Sequence, residues 1–474
     1  MSSKPTLNSD QKEAFKAIQK FLEHSSANIF VLKGYAGTGK TFLMQYLGQW
    51  LSEKEQSFCL LASTGRAASV LKGKTGFSAT TVHSELYNFS KVDGIDDQML
   101  ENISEIDLNG QMSLQFTTRQ PDKETQLYIV DEASMLSGDL SKDVLFAQFG
   151  SGVLLNDFFE VTNKNKIIFV GDPCQLPPVN QHFSPALEIK WLNEQDKVAL
   201  SFTLEKIERT EASNDVLKLA GAVRNMSLQK EWELYPKLPA SNLNNVKLHG
   251  SDQELFNLYL EKYKQTGINE TIAIARSNAM VSNINKAMRR ELFGSIHMPL
   301  QIGEVLLVTQ NNYIVPLTNG DFVIIEELGT TSTRARLKFQ NVRVKSVTTD
   351  KDYSILLSLD SLNSIRGNLS NNQMKELMID FSQRMREKNV KTNTPEYKKA
   401  MLEDDYLNCL KVSYGYAVTC HKAQGGEWNN VFLFLDNENN GMYSMPPHEL
   451  CKWWYTAITR ARRELHLVKY WWVI

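Results

Sequence analysis

The chain has 474 residues, 42% of them apolar and 22% charged, which is the profile of a globular protein of about two to four structural units. We expect neither a membrane span nor a signal peptide. Its five cysteines form no C-x-x-C pair and its eight histidines are scattered, so the sequence suggests neither a disulfide framework nor a zinc site, and a cytoplasmic location is expected. The 52 basic and 54 acidic residues nearly cancel, so overall charge gives no support for nucleic-acid binding, although it allows a basic surface confined to one channel.

The first third of the chain alternates short apolar runs with helical patterns, which is typical of an α/β fold built on a parallel sheet. Strands are predicted at residues 29–32, 59–62, 127–130 and 167–171. Helical spacing of Leu43, Leu47 and Leu51 predicts a helix directly after the first strand. Each strand ends in small or polar residues, at the edge where parallel sheets present their ligands, so a binding site is expected there.

A second α/β pattern begins at 271–275, resumes at 412–418 and closes with 431–435 and 465–468. We therefore predict a first lobe from residues 1–84 and 126–210, and a second lobe from residues 211–308 and 409–474. A polar segment at 85–125 is predicted to be an insertion in the first lobe. Residues 309–408 are predicted to be an insertion in the second lobe, with barrel strands at 322–325, 335–339 and 355–359 and helices at 372–388 and 395–405.

The run GYAGTGKT at residues 34–41 matches the phosphate-binding pattern G-x-x-x-x-G-K-[ST] and stands between a predicted strand and its helix. The glycines allow backbone N–H groups to surround phosphates, Lys40 reaches the terminal phosphates, and the Thr41 hydroxyl ligates magnesium. A chance match in a chain of this length is roughly a few-per-cent event. An ATP site with bound Mg²⁺ is therefore predicted here.

Two further strand ends carry groups suited to nucleotide hydrolysis. Asp131 and Glu132 follow the strand ending at Val130, where Asp131 can hold the magnesium ion and Glu132 can orient or deprotonate the attacking water. Gln175 lies in the loop GDPCQLPPV after another strand, where it is predicted to report on the γ-phosphate. The alternative for Gln175, a loop merely stiffened by proline, stays open on spacing alone.

These motifs, in this order, resemble those of superfamily 1 helicases of the 1B type, in their Dda-like and RecD-like branch. The resemblance runs from Leu7 to about Val468. It is carried by LNSDQ at 7–11, ASTGRAA at 62–68, TTVHS at 80–84, LEKIER at 204–209, YAVTCHKAQGGEW at 416–428 and YTAITRAR at 455–462. The chain departs from the family pattern at Ser63, where proline is usual, and at Gly426, where a larger residue is frequent.

The resemblance implies a role for each matching residue. It implies that Gln11 reads adenine and that Arg209 and Arg460 contact the transferred phosphate, with Arg460 as an arginine finger. It also implies that Gln424, Gly425 and Glu427 approach the nucleotide, beside the loop residues Gly37, Thr38 and Gly39 that the phosphate-binding pattern predicts. Nucleic-acid contacts are implied for Thr64, Arg66, Thr81, His83, Thr419 and His421. Tyr87 and Trp428 lie near these segments and either stack on bases or pack at a domain edge.

The fold implied is α/β, with two RecA-like P-loop lobes, a hairpin insertion in the first and an SH3-like barrel insertion in the second. The function implied is that of an ATP-dependent DNA helicase that translocates 5′→3′ on single-stranded DNA. It would act at DNA duplex junctions, with ATP and Mg²⁺ as cofactors, as a monomer and without a membrane partner. Phosphates held by one lobe attract a cation of the other only when the cleft closes, so hydrolysis can drive lobe motion.

Three other functional classes are alternatives to a DNA helicase. A protein-remodelling ATPase has no need of strand-gripping loops, and a decayed binding module rarely keeps every charged group of its site. An RNA helicase of the same superfamily stays open, because only the resemblance favours DNA.

The insertion at 85–125 contains Asn109-Gly110, a strong turn signal between two alternating runs. We predict a strand-separating hairpin with a three-residue loop at 108–110, which pairs Ile106 with Met112 and exposes Leu108 near the tip. A solvent-facing hairpin without a role is the alternative.

Overall fold

The computed structural model describes residues 6–24, 26–87, 103–107, 112–120, 124–140, 147–163, 165–207, 214–229, 231, 233–295, 298–312, 314–392, 394–436 and 441–474. Within these ranges the strands are β1 (Ile29–Gly34), β2 (Phe58–Ala62), β3 (Ala79–Thr81), β4 (Ile103–Asp107), β5 (Met112–Phe116), β6 (Leu127–Asp131), β7 (Ala147–Phe149), β8 (Lys166–Gly171), β9 (Ala199–Leu204), β10 (Val246–His249), β11 (Thr271–Ala275), β12 (Val305–Val308), β13 (Phe322–Arg334), β14 (Leu337–Ser346), β15 (Asp352–Ser358), β16 (Val412–Tyr414), β17 (Ala417–Thr419), β18 (Trp428–Phe434) and β19 (Ala461–Val468). The α-helices are α1 (Ser9–His24), α2 (Lys40–Glu53), α3 (Gly65–Thr75), α4 (Val82–Leu86), α5 (Leu154–Thr162), α6 (Ile189–Glu194), α7 (Asp215–Ser227), α8 (Asp252–Thr266), α9 (Asn278–Phe293), α10 (Leu359–Asn363), α11 (Asn371–Glu387), α12 (Pro395–Glu403), α13 (Cys420–Ala423) and α14 (Pro447–Ile458).

The first lobe is built on a six-stranded sheet in the order β3-β2-β6-β8-β1-β9, and its strand pairs are parallel. A parallel sheet covered on both faces needs strands that are apolar along their whole length. Strand β1 meets this need, because Ile29 and Val31 enter one core cluster while Phe30 and Leu32 enter another. Because β6, β8 and β1 are neighbours in the sheet and run parallel, their carboxyl ends lie side by side at one edge.

The second lobe is built on a five-stranded parallel sheet in the order β10-β19-β18-β11-β17. Strand β11 is buried over its full length, and its residues share one core cluster with those of β18, β19 and α14. The prediction of an α/β fold with two parallel-sheet lobes is thus confirmed.

A third sheet is antiparallel, in the order β15-β14-β13-β12-β16, and takes in residues on both sides of the 309–408 range. Residues 412–418, where the second α/β pattern is predicted to resume, form two strands: β16 joins this third sheet, and β17 joins the sheet of the second lobe. The break falls at Gly415, whose N–H donates to the Val305 carbonyl. A Cβ on Gly415 would lie 3.1 Å from the main-chain carbon of Leu306, so the close approach of β12 requires glycine there.

The two helices predicted near the end of this insertion are confirmed as α11 and α12. A capping box formed by Ser370 and Gln373 begins α11, and its apolar stripe buries Met374, Leu377 and Phe381. Among the described residues, no helix is both long enough and apolar enough to span a membrane.

A fourth sheet contains the predicted hairpin. Strands β4 and β5 pair antiparallel, and β5 also pairs with β7 in parallel. The predicted register is wrong, because Asp107 pairs with Met112, and Ile106 therefore lies opposite Ser113. The register of the hairpin is set by five residue pairs between β4 and β5 and by the pairing of β5 with β7. These contacts outweigh the alignment of one apolar pair near the turn, from which the register is predicted. The predicted wedge residue, Leu108, lies outside the described residues.

Candidate active site

The predicted phosphate-binding loop lies between β1 and α2. Gly37 and Gly39 have φ angles of 82° and 79°, in the left-handed region that favours glycine. The Lys40 ammonium donates to the carbonyls of Gly34 and Tyr35, at 2.7 and 3.1 Å. Glycines in this conformation, followed by a lysine at a helix start, form a loop whose backbone N–H groups and lysine can hold phosphates.

Gln11 lies directly against this loop. Its side-chain amide donates to the Thr38 carbonyl at 3.2 Å, and a Cβ on Gly39 would lie 2.4 Å from Gln11 Nε2. Asn8 holds Gln11 in place, since its Oδ1 accepts from the Gln11 N–H at 2.7 Å. Thr41 is the second residue of α2. The structure therefore brings the predicted nucleotide-contacting residues of two separate segments to one place.

Asp131 and Glu132 lie at the end of β6. Burial and the neighbouring Glu132 carboxylate raise the pKa of Asp131 to about 7, against the opposing effect of the Lys40 ammonium. Glu132 has a φ of 51°, and its N–H donates to Asp131 Oδ1 at 2.9 Å. Two adjoining carboxylates beside a phosphate-binding loop have the oxygen donors that a magnesium ion prefers.

Gln175 and Asp172 occupy the loop after β8. Gln175 is only 4% exposed, and its Oε1 has no hydrogen-bond partner among the described residues. An unsatisfied buried oxygen is costly, so this amide is a natural partner for a ligand. Sequence reasoning missed Asp172, which is fully buried and accepts from the Cys174 N–H at 3.0 Å. Burial raises the pKa of Asp172, and the signal that could have identified it is its place at a strand end beside β1.

Arg460, the predicted arginine finger, is 4% exposed and follows α14 in the second lobe. Its guanidinium donates to the Thr456 carbonyl, the Gly426 carbonyl and the Thr459 hydroxyl, at 3.0, 3.2 and 3.1 Å. Its positive charge counters the rise in the pKa of Asp172 across the cleft. Arg460 is thus a buried cation held in place by its own lobe and facing the loop of the other.

Gln424 and Gly425 lie where the two lobes meet. Gln424 Nε2 donates to the Leu176 carbonyl of the first lobe at 3.0 Å. Gly425 has a φ of 74°, and a Cβ there would lie 2.9 Å from the Ala67 Cβ. The second-lobe motif therefore packs against both the loop after β8 and the start of α3.

Glu427 pairs with Lys74 of the first lobe at 3.2 Å and with Arg462 of its own lobe at 3.1 Å. The structure thus places it in an ion-pair cluster on the lobe interface, in contact with cations. Arg209 lies outside the described residues.

Thr64 and Arg66 lie at the start of α3. The Thr64 hydroxyl caps the helix by accepting from the Ala67 N–H. The Arg66 guanidinium lies 4.1 Å from the Trp428 ring centroid and 5.1 Å from that of Phe322, and burial lowers the pKa of Arg66 to about 10. Trp428 is fully buried, so packing is its role in this structure.

Thr81 and His83 lie at the start of α4, where the Thr81 hydroxyl accepts from the Ser84 N–H. Burial lowers the pKa of His83 to about 4, against the opposing charge of Asp157. Tyr87 is 1% exposed and donates to Asp157 Oδ2 at 2.6 Å. Tyr87, like Trp428, is therefore a packing residue here, which settles the alternative that the sequence left open.

Thr419 and His421 flank the start of α13, and Thr419 lines a cavity of about 220 Å³ between α9, α13 and the third sheet. The residues lining this cavity include Lys286, Arg289 and Lys422 and no carboxylate. Burial lowers the pKa of Lys422, and no ion pair is found for Lys286 or Lys422 within the described ranges. Sequence reasoning missed Lys422, although it directly follows His421 in the motif.

A phosphate-binding loop, strand-end carboxylates and a buried arginine from a second parallel-sheet lobe define a P-loop nucleotide hydrolase with its site between two lobes. Residues 6–231 match the family profile described as an AAA domain, and residues 414–468 match that of the UvrD-like helicase C-terminal domain. In the order of its motifs and in both of these matches, the chain is similar to helicases of superfamily 1. It is an ATP-dependent enzyme of helicase type.

Individual relatives are distant. The chain is 23% identical to an uncharacterized protein of Acanthamoeba polyphaga mimivirus, over 97% of this chain and 99% of that protein. It is 23% identical to the RecBCD enzyme subunit RecD of Buchnera aphidicola, over 72% of this chain but only 53% of that subunit. Among solved structures, Pif1 helicase from Bacteroides in complex with ADP-AlF3 and ssDNA is similar with a TM-score of 0.47 at 17% identity, covering 98% and 94% of the two chains.

Proposed function

We propose that this helicase hydrolyses Mg²⁺-bound ATP between its lobes to translocate 5′→3′ along single-stranded DNA and to unwind duplex junctions. The observation that carries the proposal is the contact of the second lobe with the nucleotide-binding loops of the first. Gln424 donates a hydrogen bond to the carbonyl of Leu176, the residue that follows Gln175. Thr456 accepts a hydrogen bond from the N–H of the same leucine. A change at the phosphates therefore has a direct route to the position of the second lobe.

The nucleotide would be held by Gln11, at the adenine, and by the loop residues 37–41 at the phosphates. The magnesium ion would be held by the Thr41 hydroxyl and the Asp131 carboxylate. The fit rests on Asp131 itself, since a carboxyl whose pKa is raised by burial and by Glu132 gains a favourable partner when a divalent cation arrives. When bound, the ion would neutralise charge that develops on the phosphates.

Hydrolysis would use groups from both lobes. Glu132 would orient the attacking water, and Gln175, with its unsatisfied buried amide oxygen, would sense the γ-phosphate. Arg460, and Arg209 by family resemblance, would stabilise the negative charge of the transition state. Because Arg460 belongs to the second lobe, catalysis would require closure of the cleft.

The strand would cross both lobes through Thr64, Arg66, Thr81, His83, Thr419 and His421. The cavity beside Thr419 supports this path, because it presents Lys286 and Lys422 without a lining carboxylate. Phosphates are the anions that such a surface would bind. Arg66 would act mainly by joining the lobes, since its guanidinium is enclosed between Trp428 and Phe322.

Polarity and substrate rest on the resemblance to the Dda-like and RecD-like branch, and one experiment tests both. Duplexes with a 5′ or a 3′ single-stranded DNA tail, and the same pair with RNA tails, would be incubated with the enzyme, ATP and Mg²⁺. Unwinding is expected for the 5′-tailed DNA duplex. Exclusive unwinding of 3′-tailed duplexes would refute the polarity, and a preference for RNA tails would establish the RNA-helicase alternative.

A further inference from the structure

Tyr455, in the second lobe, contacts the phosphate-binding loop of the first lobe. Its hydroxyl accepts a hydrogen bond from the Ala36 N–H at 2.8 Å and lies 2.6 Å from Asp172 Oδ2. Tyr455 is 1% exposed and Asp172 is fully buried, so neither bond competes with bulk water. The Ala36 N–H belongs to the loop that would hold the phosphates of ATP, yet here its partner is a side chain of the opposite lobe.

The direction of these two hydrogen bonds is fixed. A backbone N–H can only donate, so the Tyr455 oxygen must accept from Ala36. The hydroxyl proton is then left for Asp172 Oδ2, while Asp172 Oδ1 accepts from the Cys174 N–H at 3.0 Å. Asp172 therefore orients the hydroxyl so that it presents an acceptor to the phosphate-binding loop.

Phosphate oxygens are also acceptors, and they bind the same kind of loop N–H group. We propose that Tyr455 is a nucleotide-sensing residue whose hydroxyl competes with a phosphate oxygen of ATP for the Ala36 N–H. When a phosphate oxygen accepts the hydrogen bond from the Ala36 N–H, the Tyr455 hydroxyl keeps only its hydrogen bond to Asp172. Nucleotide binding thereby releases one contact between the lobes at the loop itself.

The position of Tyr455 in the chain gives this release a consequence. It belongs to α14, which ends two residues before Arg460, and Arg460 Nε donates to the Thr456 carbonyl in that helix. Tyr455 is thus a positioning residue that reports the nucleotide state to the helix that precedes Arg460. The contacts of Thr456 and Gln424 with Leu176 do not involve the phosphate-binding loop, so they hold the lobes together when this contact opens.

The test is Tyr455→Phe, which keeps the ring and removes the hydroxyl. Affinity for fluorescent ADP and for a non-hydrolysable fluorescent ATP analogue is measured without nucleic acid. Without its competitor, the Ala36 N–H is unsatisfied until nucleotide binds, so the variant is expected to bind nucleotide about tenfold more tightly. Unchanged or weaker binding would overturn the proposal. This measurement does not depend on the proposed DNA preference or polarity.

Two control variants sharpen the result. Thr456→Val removes a hydrogen bond between the lobes, from the Leu176 N–H at 2.9 Å, without touching the phosphate-binding loop. Equal tightening in that variant would indicate a general loosening of the lobes and would overturn the proposal. Tyr443→Phe removes a hydroxyl that donates to the Pro236 carbonyl within the second lobe, and its nucleotide affinity is expected to match the parent. Matching melting temperatures would show that Tyr455→Phe is folded.

A second readout addresses the coupling between sites. Affinity for single-stranded DNA is measured with and without the ATP analogue, and the ratio of the two dissociation constants gives the coupling. In Tyr455→Phe this ratio is expected to move toward 1, because one contact that responds to nucleotide is absent. An unchanged ratio would overturn the role of Tyr455 as a sensor, whatever the effect on nucleotide affinity.

Discussion

Gln424 of the second lobe donates a hydrogen bond from Nε2 to the main-chain carbonyl of Leu176 in the first lobe, at 3.0 Å. The N–H of the same leucine donates to the Thr456 hydroxyl at 2.9 Å, and its side chain enters the core cluster of the second lobe. The loop after β8 is therefore anchored to both lobes. Gln175, which is proposed to sense the γ-phosphate, lies in this loop, so a phosphate contact there would act on the second lobe directly.

Lys40→Ala is expected to lower ATP hydrolysis by at least about 10²-fold, since a preorganised cation at the phosphates is lost. Affinity for single-stranded DNA should stay largely intact, because Lys40 lies in the phosphate-binding loop and not among the proposed strand contacts. Phosphate release and oligonucleotide anisotropy measure the two effects. Lys54→Ala, at the opposite end of α2, serves as the control, and retained hydrolysis in Lys40→Ala would refute the site.

Arg460→Ala is expected to reduce turnover by about 10³-fold with a much smaller effect on the dissociation constant for nucleotide. The cause is the loss of transition-state charge stabilisation, and the same outcome is expected for Arg209→Ala from the family resemblance. Arg462→Ala is the matched control, since its side chain is 45% exposed and pairs with Glu427. A loss confined to nucleotide affinity would give Arg460 a binding role instead.

The parts of the site that the sequence predicted are those encoded within a short stretch. A strand, a glycine loop and a helix that begins at Lys40 follow one another within residues 29–53, so local pattern is enough to place them. Asp131 was predicted for the same reason, as the first polar residue after a buried strand. Contacts across the chain were beyond such reasoning: Ala36 and Tyr455 are 419 residues apart.

Features of the fold that the sequence did not predict have a similar origin. The run at 412–418, where the second α/β pattern is predicted to resume, is divided at Gly415 between two sheets, and the contact of Gly415 with β12 is visible only when the third sheet is assembled. The hairpin register was predicted from residues near the turn, whereas β7, some thirty residues further along the chain, also pairs with β5. Non-local pairing decides register, and a sequence pattern does not contain it.

Burial holds the pKa of His83 near 4, so this imidazole stays neutral in the folded protein at pH 7. An unfolded histidine titrates near 6.5, so the unfolded state binds the extra proton first as the pH falls. The stability that His83 contributes is thus present above pH 6.5 and is lost as the pH falls toward 4. Between pH 7 and pH 5 the parent should lose roughly 1–2 kcal/mol of unfolding free energy relative to His83→Gln.

Denaturant unfolding at the two pH values measures this difference. His182→Gln, whose side chain is 83% exposed, is the control and should follow the parent. The same neutrality predicts that His83→Gln leaves the salt dependence of DNA binding unchanged at pH 7. Parallel pH profiles for the parent and His83→Gln would contradict the burial of this ring as the cause.

Lys422→Gln is expected to weaken binding of single-stranded DNA and to lower the slope of log affinity against log salt by about 0.7, the effect of one lost phosphate contact. Lys422 and Lys286 both line the cavity beside Thr419, and no carboxylate lines that cavity with them. Nucleotide affinity without DNA should not change. The control is Lys264→Gln, an exposed lysine in the last turn of α8, and an unaltered salt slope in Lys422→Gln would place the strand elsewhere.

The last prediction concerns the hairpin of β4 and β5 in the insertion of the first lobe. We expect it to separate the strands of the duplex, because the insertion follows the segment at 80–84 that is proposed to grip the strand. The hairpin is anchored on its β5 side by pairing with β7, and Tyr87 at the base of the insertion bridges to Thr118. A hairpin held at its base in this way can resist a duplex that is drawn against it.

Replacement of residues 106–112 by a short Gly-Ser linker should therefore spare DNA-stimulated ATP hydrolysis and impair unwinding. The two activities separate because the nucleotide site and the proposed strand contacts lie outside the hairpin, so the variant can still move along DNA without splitting a fork. A matching Gly-Ser replacement of residues 348–351, in the turn between β14 and β15, controls for loop surgery in general and should retain unwinding. Equal unwinding by the hairpin variant and the parent would show that the fork is split elsewhere, and a joint loss of hydrolysis would show that the hairpin supports the lobe and not the fork.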